Sequence, residues 1–173
     1  MANFIMIVGP AGSGKSTFAQ YYADKHYSDN RRGDIVIISS DALRAELYGN
    51  AEDQTNPKRV FEEMNKRTLQ ALRRDVSVIY DATNLTKKYR MNILDEVRAI
   101  EVNGMPIITA CYMIDVPLDQ ALYQNAHRDR VVPEYVIKRH YAILEKPTRD
   151  EGWDLVYAVK TYSKPIYILS KVK

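Results

Sequence analysis

The chain has 173 residues, of which 46% are hydrophobic and 27% charged, and its formal net charge is +3. This composition is typical of one globular domain and unlike that of a disordered chain. The small positive charge permits contact with a polyanion but does not require it. Basic pairs recur along the chain, and exposed helix faces explain most of them as well as nucleic-acid binding does. They stand at residues 31–32, 58–59, 66–67, 73–74 and 87–88.

The sequence has no basic leader, and no apolar run approaches the roughly 20 residues needed to cross a bilayer. Its single cysteine, Cys111, lies in an apolar stretch, where a buried thiol is expected. These features predict a cytoplasmic protein without a membrane segment. A zinc site is not expected, because His26, His127 and His140 lack ligand spacing with this cysteine.

Strand-like and helix-like segments alternate along the chain. Short apolar runs predict strands buried on both faces at residues 4–8, 34–39, 76–82 and 106–114. Helical spacing marks residues 15–26, 58–74, 87–103, 118–129 and 133–145. Gly104 is predicted to cap the third of these helices.

This alternation predicts a three-layer α/β/α fold with a mostly parallel sheet of about five strands. The last two apolar runs, at residues 154–159 and 165–169, predict a parallel fifth strand followed by an antiparallel edge strand. In such sheets ligands bind at the carboxyl ends of the strands.

A glycine-rich segment, GPAGSGKS at residues 9–16, joins the first strand to the first helix. Its glycines let backbone N–H groups turn inward around phosphates at a helix N-terminus. Lys15 would reach the β- and γ-phosphates, and the Ser16 hydroxyl would bind Mg²⁺. The segment predicts a site for ATP or another nucleoside triphosphate with Mg²⁺. Its nucleotide-binding residues would be Gly12, Ser13, Gly14, Lys15, Ser16 and Thr17.

Asp41 and Arg44 follow the second strand at an offset of three, which places both on one face of a helix. An aspartate can orient an acceptor hydroxyl and take its proton, and an arginine can hold an anionic part of the acceptor. The alternative is that Asp41 only caps the helix and Arg44 is exposed.

Asp81 ends the third strand, where an acidic residue can orient Mg²⁺ or water. It could instead cap the next turn, and Asn84 could cap the following helix. Farther along, Arg128 and Arg130 lie between two helical segments that would form a lid, where arginines can neutralise charge on a transferring phosphoryl group. An exposed polar helix end is the alternative for this segment.

Taken together, several segments resemble the 5′-hydroxyl polynucleotide kinase family, which includes the kinase domains of phage and bacterial end-healing enzymes. They are GPAGSGKSTF at residues 9–18, SSDALR at 39–44, YDATNL at 80–85, DVP at 115–117, and the lid pieces at 125–128 and 134–140. The resemblance covers residues 5–155. The stretch between Arg128 and Pro133 is about one residue shorter than in the phage-type enzymes.

The resemblance implies a single P-loop kinase domain over residues 1–173, with a lid at about 118–146, that phosphorylates a 5′-hydroxyl end of DNA or RNA with ATP. It implies Asp41 as general base and Arg44 as a clamp on the terminal 3′-phosphate of the acceptor. Arg128 resembles the lid arginine on the donor phosphates, assisted by Arg130.

Other functions remain open from the residues alone. P-loop kinases with an acid and an arginine on the acceptor side include zeta-toxin-like, other small-molecule, nucleoside and seryl-tRNA kinases. A nucleotide-switch ATPase module is a further alternative, and Asp41 distinguishes it, because a switch does not need a general base for an acceptor. Basic residues do not separate DNA from RNA, since phosphate contacts carry no sequence information.

Overall fold

The computed structural model describes residues 1–27, 33–163 and 166–172. Its helices and strands are β1 (Asn3–Val8), α1 (Lys15–Tyr27), β2 (Ile35–Ser39), α2 (Ser40–Tyr48), α3 (Pro57–Arg73), β3 (Ser77–Asp81), α4 (Lys87–Arg98), β4 (Glu101–Val102), β5 (Met105–Pro106), β6 (Ile108–Ile114), α5 (Leu118–Ala126), α6 (Glu134–Ile143), β7 (Leu155–Ser163) and β8 (Ile166–Lys171). The basic pair at residues 31–32 and the predicted start of the last strand at Pro165 lie outside the described residues.

The main sheet has six strands in the order β2-β3-β1-β6-β7-β8, where about five were expected. The first five are parallel, and β8 pairs antiparallel with β7. The prediction of a parallel strand followed by an antiparallel edge strand is therefore confirmed. The expectation that the second strand is buried on both faces is wrong: β2 forms the other sheet edge, and of its five residues only Ile38 is buried.

Alternate residues of the central strand β1 face two helical layers. Phe4 and Met6 point to the layer of α3 and α4, and Ile5 and Ile7 point to the layer of α1, α5 and α6. Cys111 is a buried free thiol in the first of these layers, as expected. The side chains that fill the first layer include Val60, Met64, Leu72, Ile93 and Leu94. Those that fill the second include Phe18, Ala19, Ala121 and Ile137.

The predicted helix at residues 87–103 is too long. Helix α4 ends at Arg98, and β4 and β5 then form a two-stranded hairpin. Asn103 and Gly104 link the two strands with φ values of 54° and 74°. Two successive residues with positive φ are what a two-residue hairpin turn requires. Gly104 is therefore a turn residue and not a helix cap.

A buried arginine joins two segments that lie far apart in the chain. Arg90 of α4 is fully buried, and its Nε donates a hydrogen bond of 2.8 Å to Glu151. Its Nη1 donates to the backbone carbonyls of Asn84, Leu85 and Glu145 at 3.0, 3.2 and 2.9 Å. One side chain thus connects the segment after β3 to the segment after α6.

Replacing Arg90 with Met should destabilise the fold by about 3 to 5 kcal/mol, because it leaves the Glu151 carboxylate buried without its cation. Urea unfolding of the purified variant measures this change. Lys88 is an exposed residue of the same helix, so Lys88→Met should change stability by less than about 0.5 kcal/mol. Equal stability of the two variants would contradict a connecting role for Arg90.

Candidate active site

The phosphate loop has the backbone that its glycines predict. Gly12 and Gly14 adopt φ values of 78° and 90°, a backbone conformation that residues with a Cβ rarely adopt. Gly12 also lies directly beneath α5: a Cβ added to it would come within 2.5 Å of the Ala121 carbonyl oxygen and 3.2 Å of the Asn125 Cβ. Glycine is therefore needed at this position for conformation and for space.

Ser13 and Thr17, both predicted from the sequence to bind the nucleotide, differ in burial. Ser13 is buried inside the loop, and within the described part of the chain its Oγ has no hydrogen-bond partner. Thr17 is exposed in the first turn of α1 and lines the same cavity as the loop. Both stand next to the loop backbone whose N–H groups would surround the phosphates.

Lys15 folds back over the loop, and its Nζ donates a hydrogen bond of 2.7 Å to the Pro10 carbonyl. Burial lowers the pKa of Lys15 to about 8, although the charges of Asp81 and Asp41 oppose this shift. The charges of both carboxylates therefore favour the charged form of the Lys15 ammonium, and bound phosphates would favour it in the same way.

Ser16 and Asp81 meet at the junction of α1 and β3. The Ser16 Oγ donates a hydrogen bond of 2.7 Å to Oδ2 of Asp81, which is 4% exposed. Burial raises the pKa of Asp81, and Lys15 and the Ser16 hydrogen bond oppose the rise. A hydroxyl and a carboxylate are oxygen ligands of the kind that Mg²⁺ uses together with phosphates and water. These residues therefore fit the predicted metal.

Asn84 has a structural position and does not cap a helix. Its Nδ2 donates to the Ile7 carbonyl at 2.8 Å and to the Ala82 carbonyl at 3.3 Å. The N-cap of α4 is Thr86, so the capping alternative for Asn84 is wrong. The amide instead ties the loop after β3 to the end of β1.

Asp41 lies between two arginines that come from different parts of the chain. Arg44 Nη1 donates to Oδ1 of Asp41 at 2.9 Å, and Arg130 Nη1 donates to Oδ2 at 2.7 Å. The Arg44 side chain is only 8% exposed, so the alternative of an exposed arginine is wrong. The N-cap of α2 is Ser39, which also removes the capping alternative for Asp41.

The Arg44 guanidinium has unused hydrogen-bonding capacity. Its Nε is buried and, among the residues that the structure describes, donates its N–H to no partner. Arg44 also lines the cavity, so its guanidinium is placed to hold an anionic group there.

Arg128 is held in place by a buried asparagine that the sequence reasoning did not single out. Its Nε donates to Oδ1 of Asn125 at 3.1 Å. Asn125 is 2% exposed, and it also binds both the N–H and the carbonyl of Val132 at 3.0 and 2.7 Å. Burial and then the charge of Arg130 lower the pKa of Arg128, and Asp41 opposes this. Asn125 therefore fixes both ends of the turn that carries the two arginines.

One cavity of about 620 Å³ brings these groups together. The phosphate loop, the ends of β2 and β3, and the turn between α5 and α6 all contribute to its wall. The predicted site residues that line it are Gly12, Gly14, Lys15, Ser16, Thr17, Asp41, Arg44, Asp81, Arg128 and Arg130. Phe61, Gln124 and His140 also line it, and sequence reasoning did not assign them to the site. Phe61 and Gln124 lie in no motif, and His140 lies in a segment of the family resemblance without an assigned role. Long-range packing brings all three to the cavity.

The sequence profile of the AAA domain family matches residues 4–147, which include every one of these cavity residues. The chain belongs to the AAA domain family. In this AAA domain the match begins in β1 and ends just after α6, so it covers the phosphate loop, both strand-end aspartates and the two arginines between α5 and α6.

Comparison with individual proteins adds three relatives of this AAA domain. It is 26% identical over 151 residues to the L-seryl-tRNA(Sec) kinase of Methanococcus maripaludis, covering 87% of this chain and 56% of that protein. A chain in the structure of the Pnkp1/Rnl/Hen1 RNA repair complex superposes with a TM-score of 0.63 at 21% identity, covering 83% of this chain and 44% of that one. A gluconokinase from Sinorhizobium meliloti 1021 superposes with a TM-score of 0.60 at 17% identity, covering 93% and 83%.

The two superpositions establish the fold, a three-layer α/β arrangement of the P-loop kinase type with a mostly parallel six-stranded sheet. The family match covers the same fold from β1 to just after α6. The chain spans about half the length of the curated relative that it matches. Within the described residues, no helix is both long and apolar enough to cross a membrane.

Gly12→Ala should destabilise the protein and weaken nucleotide binding, because the new methyl group would collide with the backbone of α5. Gly104→Ala is a matched control, since Gly104 has a similar φ of 74° but nothing within 4 Å of the added Cβ. The control should lose about 1 to 2 kcal/mol of stability from backbone strain and bind ATP normally. Urea unfolding and titration with a fluorescent ATP analogue measure both effects. Equal losses in the two variants would show that α5 does not press on the loop.

Lys15 should make the stability of the nucleotide-free protein depend on pH. Its pKa is about 8 in the folded state against 10.5 for the ordinary group, so the unfolded state binds more protons between these values. Stability should therefore rise with pH across this range. Lys15→Met should be more stable than the wild type below pH 8, by up to about 3 kcal/mol. The difference should vanish above pH 10.5, the ordinary pKa of a lysine. Urea unfolding at several pH values measures it, and a difference independent of pH would contradict it.

Proposed function

We propose that this AAA domain is a kinase that transfers the γ-phosphate of ATP to a 5′-hydroxyl end of DNA or RNA. The observation that carries the proposal is the carboxylate of Asp41, held by Arg44 and Arg130 in the same cavity as the phosphate loop. A domain that only hydrolyses ATP needs the loop and a metal-orienting acid, but it does not need this acceptor-side group.

On the donor side, the backbone of residues 12–17 would surround the phosphates, and Lys15 would exchange its bond to the Pro10 carbonyl for the β- and γ-phosphates. Ser16 and Asp81 would hold Mg²⁺, whose charge lowers the repulsion that the transferred group meets. The close hydrogen bond between these two residues supports their common role.

On the acceptor side, Asp41 would orient the 5′-hydroxyl and accept its proton as the new P–O bond forms. Arg44 approaches from the same helix and lines the same cavity, which supports a contact with the 3′-phosphate of the terminal nucleotide. The buried position of Arg44 means that this contact would be made without ordering a flexible side chain.

The segment at residues 118–146 would serve as the lid of a single domain that spans residues 1–173. Arg128 would bind the donor phosphates from above the loop, and Arg130 would assist once the acceptor takes its place beside Asp41. A closed lid excludes water, which favours transfer to the acceptor over hydrolysis.

The seryl-tRNA kinase relative supports a second acceptor, the seryl group of seryl-tRNA. The phosphate would then go to a hydroxyl that is attached to an RNA and not to its 5′ end. The gluconokinase neighbour shows that the same fold also occurs in a small-molecule kinase, so the fold does not choose among acceptors. The proposal therefore rests on the arginine pair around Asp41, which suits a hydroxyl next to a phosphate.

The direct test uses purified protein, Mg²⁺ and ATP labelled at the γ-phosphate. The acceptors are 5′-hydroxyl DNA and RNA oligonucleotides, a nucleoside 3′-phosphate, the same nucleoside without a phosphate, seryl-tRNA, and gluconate. Label should appear on the oligonucleotides, and more on the nucleoside 3′-phosphate than on the nucleoside. No label on any DNA or RNA end would reject the proposal, and label on seryl-tRNA alone would favour the second acceptor.

Asp41→Asn should reduce the rate of transfer by about 10²- to 10⁴-fold, because the amide cannot take the proton of the hydroxyl. ATP binding should change little, since the phosphate loop is intact. Asp95→Asn, an exposed aspartate on α4, is the control and should transfer phosphate normally. A nucleotide-switch module would instead keep its full ATP turnover in the Asp41 variant, and that outcome would overturn the kinase assignment.

A further inference from the structure

Helix α6 reaches the phosphate loop through a histidine. The backbone N–H of Ala11 donates a hydrogen bond of 3.2 Å to Nδ1 of His140, across 129 positions of the chain. His140 also lines the cavity. Because an N–H can only donate, Nδ1 must be the unprotonated nitrogen, and the proton of the neutral ring is on Nε2. Burial, together with the charges of Lys15 and Arg139, lowers the pKa of His140, which agrees with a neutral ring.

The same peptide group also holds Lys15. The N–H of Ala11 and the carbonyl of Pro10 belong to one planar peptide unit, in which the two groups point in opposite directions. His140 binds the N–H, and the Lys15 ammonium binds the carbonyl at 2.7 Å. Fixing one side of this unit therefore fixes the other. The loop has a second bond to the same carbonyl, from the N–H of Ser13 at 3.3 Å.

We infer that His140 is a positioning residue. It acts through the peptide unit of Pro10 and Ala11 to fix the position of the Lys15 ammonium before the nucleotide binds. Without Nδ1 of His140, the Ala11 N–H would lose its hydrogen-bond partner. The peptide unit could then rotate, which would carry the Pro10 carbonyl away from Lys15. The lid helix α6 thereby contributes to phosphate binding although none of its charged groups needs to touch the phosphates. The inference concerns the nucleotide site of the proposed kinase, and it does not depend on the acceptor.

His140→Asn and His140→Leu test this role as a matched pair. Their side chains have nearly the same shape, but only Asn carries an acceptor oxygen close to the position of Nδ1. Titration with Mg²⁺ and a fluorescent ATP analogue, with no acceptor present, should show at least tenfold weaker binding for Leu and less than threefold for Asn. Asn92→Leu, an exposed position of α4 outside the cavity, should bind as the wild type does. Equal binding by the Asn and Leu variants would overturn the inference.

A double-mutant cycle tests whether His140 acts through Lys15. Lys15→Met should weaken binding by itself, and adding His140→Leu should weaken it by less than twofold more. If the two losses multiply, His140 acts on the loop independently of Lys15 and the inference is wrong. Binding is measured without acceptor, so a failure to label any oligonucleotide leaves this test intact and rejects only the proposed function.

A measurement on the wild-type protein covers the case in which His140→Leu does not fold. Nitrogen chemical shifts of the His140 ring at neutral pH should show Nδ1 without a proton and Nε2 with one. The Ala11 amide should also show a strongly hydrogen-bonded proton shift that moves when the ring is protonated at low pH. A ring with the proton on Nδ1 would exclude the hydrogen bond and with it the inference.

Discussion

The close contact of the Gly12 backbone with the Ala121 carbonyl sets the height of α5 above the phosphate loop. No side chain can stand between them, so α5 rests on the loop itself. One turn farther along the helix, Asn125 also lies beside Gly12, and it holds Arg128, which lines the same cavity as the loop. The phosphate loop and Arg128 are therefore parts of one packed unit, and their relative position follows from a residue without a Cβ.

The cavity contains more positive than negative side chains, and internal partners hold each of its four cations. Lys15 rests on the carbonyl of Pro10, and Arg128 rests on the amide of Asn125. Arg44 and Arg130 share the carboxylate of Asp41. An entering phosphate does not have to order these side chains from solution, because it replaces partners at positions already fixed. Such preorganisation is what makes electrostatic stabilisation effective in a site that excludes water.

Local signals in the sequence were enough for the parts of the site that lie at strand ends. The glycine spacing predicts the loop, and an acidic residue at the end of an apolar run or within a few residues of it predicts where Asp81 and Asp41 stand. Asn125 and His140 could not be found in this way, since their partners lie 7 and 129 positions away. Gly104 was misassigned because a helix cap and a two-residue hairpin turn both use glycine at positive φ. The edge position of β2 was missed because a local apolar run predicts a strand but not the order of strands in the sheet.

Both ends of residues 118–146 are tied to other parts of the protein. At the start, the Tyr141 hydroxyl donates to the carbonyls of Val116 and Pro117 at 2.8 and 3.2 Å. At the end, Glu145 donates its N–H to the Leu85 carbonyl, and its own carbonyl accepts from the buried Arg90. Since these bonds hold α5 and α6 from outside the turn between them, a change confined to that turn would leave the contact between α5 and the phosphate loop in place.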